Sequence, residues 1–596
     1  TSLRYKYLLS TDAGYTYLWE EGEDRWANLP DSSVYPYCHV QDSYLHLPSH
    51  PVHTAGLVAP LFSLRSDTDW GIGDFGALRE AIDFAAEAGM HAVQLLPIND
   101  TTSTRGTADS YPYNAISVDA LHPIYIDPEA LPALPSEERK AFLREAKALR
   151  QLPAVDYPRV LELKERFLRR AFELQGKADL TSEDFRLFYD EAAAWLRPYA
   201  LYCVLRDQFG SGAPSDWAGW EAYDEAKAAA YLNDTAHAEE VGYYYWLQFV
   251  LDRQLQAVRS YAEERGVFLK GDLPIGVAPH SVDVWMAPHL FHTEQSAGAP
   301  PDDFAADGQN WGFPTYDWER MQRDGYRWWQ QRLEGLEQYF HAFRIDHVLG
   351  FFRIWEIPRS QRSGLLGHFH PALPYTLTEW QALLGDAIDV QTLAEPEEAS
   401  SRQEAPTEGY PLLRDPYSEG YHPRIAWEKT DTFHSWSADT RARWRAISDD
   451  YFYVRHNELY RQTGLRRLRA LSYSTRLLLC AEDLGMIPAS VPAVLDELQI
   501  LSLELERMPK AFTPTGWADP LTFPQRSVAT TSTHDMPSLR GWWQGLDEEE
   551  HSRYLREELH IEGPITEEEV YRLILQHHLD SPAQLVILPL ADWMSC

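Results

Sequence analysis

The sequence predicts an α/β fold, a closed (β/α)8 barrel with large helical insertions. Eight short apolar stretches recur from residue 56 onwards, with lengths typical of buried strands. Helical patterns follow several of them, which is the alternation of parallel β/α units. Three stretches end on acidic residues, as expected where the C-terminal ends of barrel strands form one catalytic face. A doubly wound sheet alternates in the same way, so it is the count of eight that favours a barrel.

The predicted strands are mostly continuous apolar runs, as expected for strands buried on both faces. They are Gly56–Leu64, Ala92–Ile98, Val267–Ile275, Ala342–Asp346, Leu477–Glu482, Leu501–Arg507, Ser527–Asp535 and Ala583–Leu590. Helical periodicity after the first and fifth strands predicts helices over Gly76–Ala88 and Val491–Leu498.

Two long insertions interrupt the alternation. Residues 127–262 are mostly helical and amphipathic in pattern. Residues 360–475 are first rich in proline and aromatic residues, then helical from Ala438 to Leu471. Because function varies in the loops that follow barrel strands, we expect both insertions to wall the active-site face.

The N-terminal residues form a separate unit in our prediction. Strands Leu3–Ser10 and Thr16–Glu20 are joined by a turn at Asp12–Gly14, and residues 31–52 have the composition of a linker. The catalytic domain is then predicted over residues 53–596. Since the chain begins at Thr1 directly in strand-like sequence and stops at Cys596 just after the eighth strand, we expect it to be a fragment.

Composition limits the classes of partner and the compartment. The net charge of −37 argues against nucleic acid and anionic membranes as partners, and no apolar run reaches about 18 residues. The 21 Trp and 33 Tyr residues suit the flat faces of sugars, although aromatic rings also fill cores. Cys38, Cys203, Cys480 and Cys596 show neither metal-binding nor disulfide spacing, which favours a reducing, cytoplasmic location.

The predicted fourth strand, Ala342 to Ile345, stops at a carboxylate. Side chains at i and i+2 of a strand share a face, so Arg344 and Asp346 are neighbours. A guanidinium beside a carboxylate favours its ionised form, which suits Asp346 as a nucleophile. The alternative for this stretch alone is that Asp346 caps a following helix.

Two further acids complete a possible glycoside site. Asp346 and Glu482 end successive strands, and neighbouring strands about 4.8 Å apart match the carboxyl spacing of about 5–5.5 Å in retaining enzymes. Glu482 then suits the acid/base. Asp535 could stabilise an oxocarbenium-like state, with His534 donating to the same sugar. A metal at His534 and Asp535 finds no third ligand at recognisable spacing, so we expect neither a metal nor an organic cofactor.

Nine motifs in order carry a family resemblance. They are Ser66–Asp74, Gln94–Asn99, Asp109–Asn114, Gly271–Ile275, Ser281–Trp285, Pro300–Phe304 with Gly308–Pro314, Arg344–His347, Ala481–Gly485 and Thr533–Asp535. Together they resemble glycoside hydrolase family 77, the 4-α-glucanotransferases. The likeness is greatest to the branch with starch-binding modules upstream and a long insertion before the acid/base.

The resemblance implies roles for individual residues. Positions matching Asp346, Glu482 and Asp535 are the nucleophile, the acid/base and the residue that stabilises the transition state. Those matching Tyr113, Trp285, Arg344 and His534 line the donor subsites, and a loop matching 298–313 partly covers the bound glucan. For single residues, a purely structural role remains an alternative. Tyr113 and Trp285 could be core aromatics, and Asp272 and Asp483 structural hydrogen-bond acceptors.

The N-terminal stretch carries a second resemblance. Tyr5-Lys6-Tyr7, Trp19-Glu20 and Arg25 are similar to the C-terminal half of a family 20 starch-binding module. The resemblance implies that Lys6 and Trp19 contact glucan. The alternative is an ordinary β-hairpin packed on the next domain.

The implied reaction is a retaining double displacement. It would transfer an α-1,4-linked glucosyl or glucan unit from maltose or maltodextrin to a branched acceptor resembling glycogen or starch. Two alternatives remain: a retaining α-glucan hydrolase with the same acids, and a glucan-binding protein whose catalytic site is inactive. The presence of all three acids favours an enzyme, whereas the sequence leaves the oligomeric state open.

Overall fold

The computed structural model describes residues 2–11, 16–20, 24–28, 53–132, 134–302, 305–386, 388–394 and 409–594. The predicted linker and the predicted turn at Asp12–Gly14 lie outside these residues. Within them, no helix combines the length and apolarity that a membrane crossing requires.

Eight parallel strands form the centre of the fold. In chain order they are β1 (Thr54–Val58), β2 (Ala92–Gln94), β3 (Phe268–Leu273), β4 (Ala342–Ile345), β5 (Leu478–Ala481), β6 (Ser502–Leu505), β7 (Ser527–Thr530) and β8 (Leu585–Pro589). Seven of the neighbouring pairs form parallel ladders, including β8 with β1. β5 and β6 are joined by an isolated bridge instead: Leu501, just before β6, accepts from Ala481 N–H at 2.7 Å and donates to Leu479 at 3.0 Å, so the barrel is nearly closed.

All eight predicted strands are present, and each is shorter than predicted. The prediction for β7 ran on to Asp535, whereas the strand ends at Thr530. After Thr530 the chain is held by hydrogen bonds that involve side chains, and no longer by backbone pairing with a neighbouring strand. The Arg507 guanidinium donates to the Thr531 carbonyl at 2.6 Å, and the Thr531 hydroxyl donates to Asp592 at 2.6 Å. The apolar runs therefore predicted the strands, but not where side-chain contacts replace the ladder.

Helices surround the barrel and fill both insertions. The first helix is Phe75–Glu87, and the first insertion holds Ser136–Arg150, Tyr157–Ala171, Lys177–Asp179, Glu183–Phe209, Glu225–Asn233 and Ala238–Glu264. Val282–Met286, Trp318–Arg323 and Arg327–Glu337 precede β4, and Leu377–Leu384, Asp431–Ser435, Ala438–Asp449 and Asn457–Ser472 belong to the second insertion. Val491–Glu497, Leu539–Gly545, Glu548–Glu557, Glu567–Leu579 and Leu590–Trp593 complete the chain.

The second insertion has a core of its own. Trp380, Trp427 and Trp444 are fully buried there, and the rings of Trp380 and Trp444 stack 5.6 Å apart. Small antiparallel sheets accompany it. Gln309–Asn310, Gln295–Ala299, Ile354–Pro358 and His368–His370 form one, Leu412–Arg414 with Tyr421–Pro423 a second, and Phe291–His292 with Thr315–Tyr316 a third.

The N-terminal residues form two strand pairs. Ser2–Tyr5 pairs with Arg25–Asn28, and Leu8–Thr11 pairs with Thr16–Trp19. The prediction of one continuous strand over Leu3–Ser10 is wrong, because the two halves of this stretch pair with different partners. Arg25 lies over the Tyr473 ring at 4.9 Å, which joins this unit to the helical region before β5. A starch-binding module and the domain boundaries stay predictions.

Candidate active site

The ladder between β4 and β5 sets the positions of two acids. Ile345 lies opposite Ala481, so Asp346 and Glu482 are the next residues on each strand. The Glu482 N–H donates to the Ile345 carbonyl at 2.9 Å, and the Glu482 carbonyl accepts from Val348 N–H at 2.9 Å. Asp346 and Glu482 therefore follow adjacent strand ends, where the backbones of neighbouring strands lie about 4.8 Å apart.

Arg344 connects the candidate nucleophile to a third carboxylate. It lies opposite Asp272 in the β3–β4 ladder, and side chains of paired residues share a face. Its Nη1 atom is 2.8 and 2.9 Å from the two Asp272 oxygens and 2.9 Å from Asp346 Oδ1. The Tyr113 hydroxyl donates to Asp272 at 2.6 Å. One buried guanidinium thus fixes both carboxylates through charge-assisted contacts.

Glu482 is held by main-chain donors. The N–H groups of His347 and Leu484 donate to its two carboxylate oxygens at 2.8 and 3.0 Å. His347 reaches this position with φ of 43°, in the left-handed region, and the 3-10 helix Val348–Phe351 begins directly after it. That helix has no side-chain cap, so the alternative in which Asp346 caps a helix is excluded.

Burial changes the ionisation of both acids. It raises the pKa of Asp346 to about 7, against the pull of Arg344 and with the help of Asp272 and Glu482. Burial also raises the pKa of Glu482, which Arg344 and the two N–H donors oppose. Close carboxyls disfavour joint ionisation, and the direct contact with Arg344 belongs to Asp346. We therefore expect Asp346 to ionise as the pH rises through about 7, with kcat/KM rising over the same range, while the raised pKa of Glu482 favours its protonated form.

His534 and Asp535 lie at the rim of the same barrel mouth. The His534 ring stacks on Tyr113 at 5.0 Å, and its Nε2 is 3.2 Å from Asp535 Oδ2. The Asp535 side chain is 74% exposed. Burial raises the pKa of Tyr111, and both Asp535 and Asp346 raise it further. Tyr113, which stacks on His534 and donates to Asp272, joins this rim to the carboxylates around Arg344.

Trp285 differs from the other predicted binding residues. It lies on the short helix Val282–Met286, is 5% exposed, and its indole N–H donates to the Trp220 carbonyl at 3.0 Å. Tyr223 packs edge-on against its ring at 5.0 Å. A sugar could therefore meet little more than an edge of this ring, and a role in binding stays a prediction.

Lys6 and Trp19 belong to the N-terminal strand pairs and not to the barrel mouth. Trp19, at the end of its strand, is 60% exposed. The structure thus brings six of the nine predicted residues together: Tyr113, Arg344, Asp346, Glu482, His534 and Asp535.

Sequence reasoning missed part of the site. Asp272 was given only a structural reading, yet it shares Arg344 with Asp346, and the β3–β4 register is the signal that would have revealed this. Trp311 was not singled out within its motif, and its ring meets the edge of His347 at 4.8 Å. Asp483 fits its structural reading, since it accepts from Leu503 N–H at 3.0 Å and from Lys510 at 2.7 Å.

Neutralising Asp272 tests the electrostatics of the site. In Asp272→Asn, loss of the neighbouring negative charge should favour ionised Asp346, so the acidic limb of the kcat/KM profile should move down by about one pH unit. The amide keeps an acceptor for Arg344. Asp252→Asn is the matched control. Asp252 lies on the helix Ala238–Glu264 and accepts from the Tyr339 hydroxyl, outside the catalytic cluster, so the profile of this variant should not move. An upward or absent shift in Asp272→Asn would contradict this account of Asp346.

Comparisons with known proteins agree with this geometry. The family model described as 4-alpha-glucanotransferase, glycoside hydrolase family 77, matches residues 59–596. The chain is 35% identical over 659 aligned residues to the 4-alpha-glucanotransferase DPE2 of Oryza sativa subsp. japonica, covering all of this chain and 69% of that protein. It is 27% identical to the 4-alpha-glucanotransferase of Aquifex aeolicus, covering 91% of this chain and 90% of that one.

Solved structures share the fold. An amylomaltase from Streptococcus agalactiae in complex with acarbose superposes with a TM-score of 0.65 at 20% identity, covering 91% of each chain. The amylomaltase of Corynebacterium glutamicum gives 0.63 at 18% identity, covering 99% of this chain and 79% of that one. With the match over residues 59–596, the chain belongs to the 4-alpha-glucanotransferases of glycoside hydrolase family 77.

Proposed function

We propose that this chain transfers an α-1,4-linked glucosyl or glucan unit from maltose or a maltodextrin to a glucan acceptor, with retention of configuration. The observation that carries the proposal is the pairing of Asp346 and Glu482 at adjacent strand ends, with Arg344 bound to Asp346. Positions at adjacent strand ends suit the carboxyl separation of about 5–5.5 Å that a covalent intermediate needs. They suit less well the separation of about 6.5–9.5 Å for direct attack by water.

In the first step the Asp346 carboxylate attacks the anomeric carbon of the donor, while Glu482 gives its proton to the departing glycosidic oxygen. The bond to that oxygen breaks as the glucosyl ester of Asp346 forms. In the second step Glu482, now ionised, takes the proton from an acceptor hydroxyl, whose oxygen displaces Asp346. The two inversions together retain the α configuration.

The surrounding residues receive supporting roles. Asp535 stabilises the positive charge that develops on the sugar ring, and His534 donates to sugar hydroxyls from its place on the Tyr113 ring. Arg344 fixes Asp346 and, with Tyr113 and Trp285, borders the donor subsites. Neither a metal nor an organic cofactor is needed in these steps, because the donor already carries its leaving group in an acetal.

The loop at 298–313 supports transfer over hydrolysis. Trp311 N–H donates to the Ala297 carbonyl at 2.9 Å, and its ring lies against His347, next to Asp346 in sequence. A large ring in that position can exclude water from the covalent intermediate while leaving room for a sugar. Loss of such shielding would give the alternative, a retaining α-glucan hydrolase.

Glucan contact by the N-terminal unit is part of the proposal. The exposed Trp19 ring offers a flat apolar surface for a sugar face. Lys6, between the strands Ser2–Tyr5 and Leu8–Thr11, carries an ammonium group of the kind that donates to sugar hydroxyls. We also propose a cytoplasmic location, since the two described cysteines, Cys203 and Cys480, are buried thiols that form no disulfide.

The experiment follows free glucose and acceptor chain length when the purified chain is given maltose, with and without glycogen. Glucose release with matching lengthening of the glycogen chains is expected. Release without lengthening would identify a hydrolase, and a lack of activity on both maltose and maltotriose would contradict the proposal.

The variant Trp19→Ala tests glucan contact by the N-terminal unit. Its KM for glycogen should rise, while turnover of maltotriose alone should stay unchanged. An unchanged KM for glycogen would show that Trp19 does not contact the glucan.

A further inference from the structure

A second cluster of chemically active side chains lies outside the transfer site, in the second insertion. His368, Asp415 and His422 each offer one ligand atom, and these atoms all lie within 4.8 Å of one another. All three residues are buried, with exposures of 4%, 6% and 2%. Three atoms with this spacing always have a point within 4.8/√3, about 2.8 Å, of all of them. Zinc binds nitrogen and oxygen at about 2.0–2.2 Å, so small side-chain movements would complete a site.

One nitrogen in this cluster has no hydrogen-bond partner. His368 Nε2 is buried and unbonded, although buried polar atoms are almost always paired. The closest approach recorded for it is Glu356 Oε2 at 3.7 Å, which is too long for a hydrogen bond. The lone pair of an imidazole nitrogen in this position can bind a metal ion.

The other two ligands face each other, since His422 Nε2 is 3.1 Å from Asp415 Oδ1. Each is also held by a residue outside the cluster: His422 Nδ1 is 2.7 Å from the Tyr451 hydroxyl. The Ser418 hydroxyl donates to the other Asp415 oxygen at 2.5 Å. Support of this kind fixes ring orientation and carboxylate position at known metal sites.

A third carboxylate stands next to His368. Glu356 is fully buried and accepts from Thr315 at 2.5 Å and from Tyr417 at 2.9 Å. His292 Nδ1 lies 3.5 Å from Glu356 Oε1, and Glu356 Oε2 lies 3.7 Å from His368 Nε2. Glu356 therefore offers a further oxygen beside the unbonded nitrogen.

We propose that His368, Asp415 and His422 bind a structural zinc ion, with its fourth position on the side of Glu356. Two imidazoles and a carboxylate are a ligand set that zinc accepts.

The three ligands come from two separate parts of the second insertion, so a bound ion would cross-link them. His368 lies opposite Glu356 in the antiparallel ladder, whereas Asp415 and His422 belong to the Leu412–Arg414 and Tyr421–Pro423 hairpin. Glu356 in turn lies opposite Ala297, whose carbonyl holds Trp311 N–H. The zinc would therefore tie the hairpin of the second insertion to the sheet that carries the loop above the catalytic acids.

The first test is metal content of the complete chain, purified with any histidine tag removed. After zinc loading and dialysis against metal-free buffer, elemental analysis should give one zinc per chain, and cobalt loading should give the visible spectrum of a tetrahedral site. His368→Ala should bind zinc at least tenfold more weakly, while leaving the contact between His422 and Asp415 intact. His434→Ala, a change at an exposed histidine of the same insertion, is the matched control and should retain the metal.

The second readout is local stability. Chelation should lower the Tm of the wild-type chain and speed hydrogen exchange in residues 412–423, and it should do neither in His368→Ala. Wild-type protein that retains no zinc after loading, or no more than His368→Ala, would overturn the proposal even if that variant folds poorly. Metal content is independent of glucan transfer, so a negative result here would leave the transferase proposal untouched.

Discussion

Asp346→Asn is expected to lower turnover of maltose by about 10⁴ to 10⁶-fold, the scale on which removal of a nucleophile acts in other enzymes. The amide has the size of the carboxylate and can still accept from Arg344. It carries no charge and cannot form the glucosyl ester. Rates with maltose and with maltotriose should fall together, because both donors pass through the same intermediate. Mass spectrometry should detect no glucosylated chain.

Stability separates this loss from unfolding. Because burial raises the pKa of Asp346 to about 7, its protonated form favours the folded state. The contribution is fully present below its unfolded pKa of about 3.9 and is lost as pH rises through 7. Asn is neutral at every pH. The Tm of Asp346→Asn should therefore rise relative to that of the wild type as the pH increases from 5 to 8. Turnover within tenfold of the wild type would sink the nucleophile assignment.

A matched control stands at the neighbouring strand end. Asp483 follows Glu482 directly, but its oxygens accept from Leu503 N–H and Lys510. Asp483→Asn should lower turnover far less than Asp346→Asn. It removes the same charge, but from a carboxylate that positions the strand end and does not react with the sugar. Equal losses would show that any charge change at this edge disables the enzyme.

Glu482→Gln is expected to lower transfer from maltose by about 10² to 10⁴-fold, the range for loss of a general acid and base. Gln keeps one carbonyl oxygen, which can accept from His347 N–H or from Leu484 N–H but not from both, so the strand end should keep one of its two main-chain contacts. It has no proton to give to the departing oxygen. The defect should therefore depend on the leaving group. With an α-glucosyl fluoride, which departs without protonation, much of the first step should recover.

The partial recovery distinguishes the acid from the nucleophile. Asp346→Asn should stay inactive with the fluoride, whereas Glu482→Gln should accumulate the glucosyl ester, because its second step still lacks a base. An external anion such as azide should accept the glucosyl unit from Glu482→Gln, since it needs no deprotonation. Full activity of Glu482→Gln on maltose would show that another group supplies the proton.

Much of the barrel followed from local sequence. The apolar runs at β4 and β5 predicted two buried strands, and each ended on the acid that the structure places at the strand's C-terminal end. Order along the chain made those strands neighbours, because successive β/α units usually lie side by side. Such inferences succeed because burial on both faces and the period of a strand are local properties of the sequence.

Other features depend on contacts that local sequence does not encode. The pKa of Asp346 is one. Arg344 predicted an ionised carboxylate, whereas burial and the charges of Asp272 and Glu482 raise the pKa to about 7. The break in the N-terminal strand after Tyr5 is another, because strand pairing across the chain decided it.

By itself, the sequence determined the barrel, the family and the acids at the ends of β4 and β5, because each rests on residue type and order along the chain. Only the tertiary structure decided that Trp285 is enclosed by other aromatic rings. It also decided that Arg344 is shared between Asp272 and Asp346, and that His368 meets Asp415 and His422. These depend on distances between residues far apart in sequence, which are fixed only when the insertions pack onto the barrel.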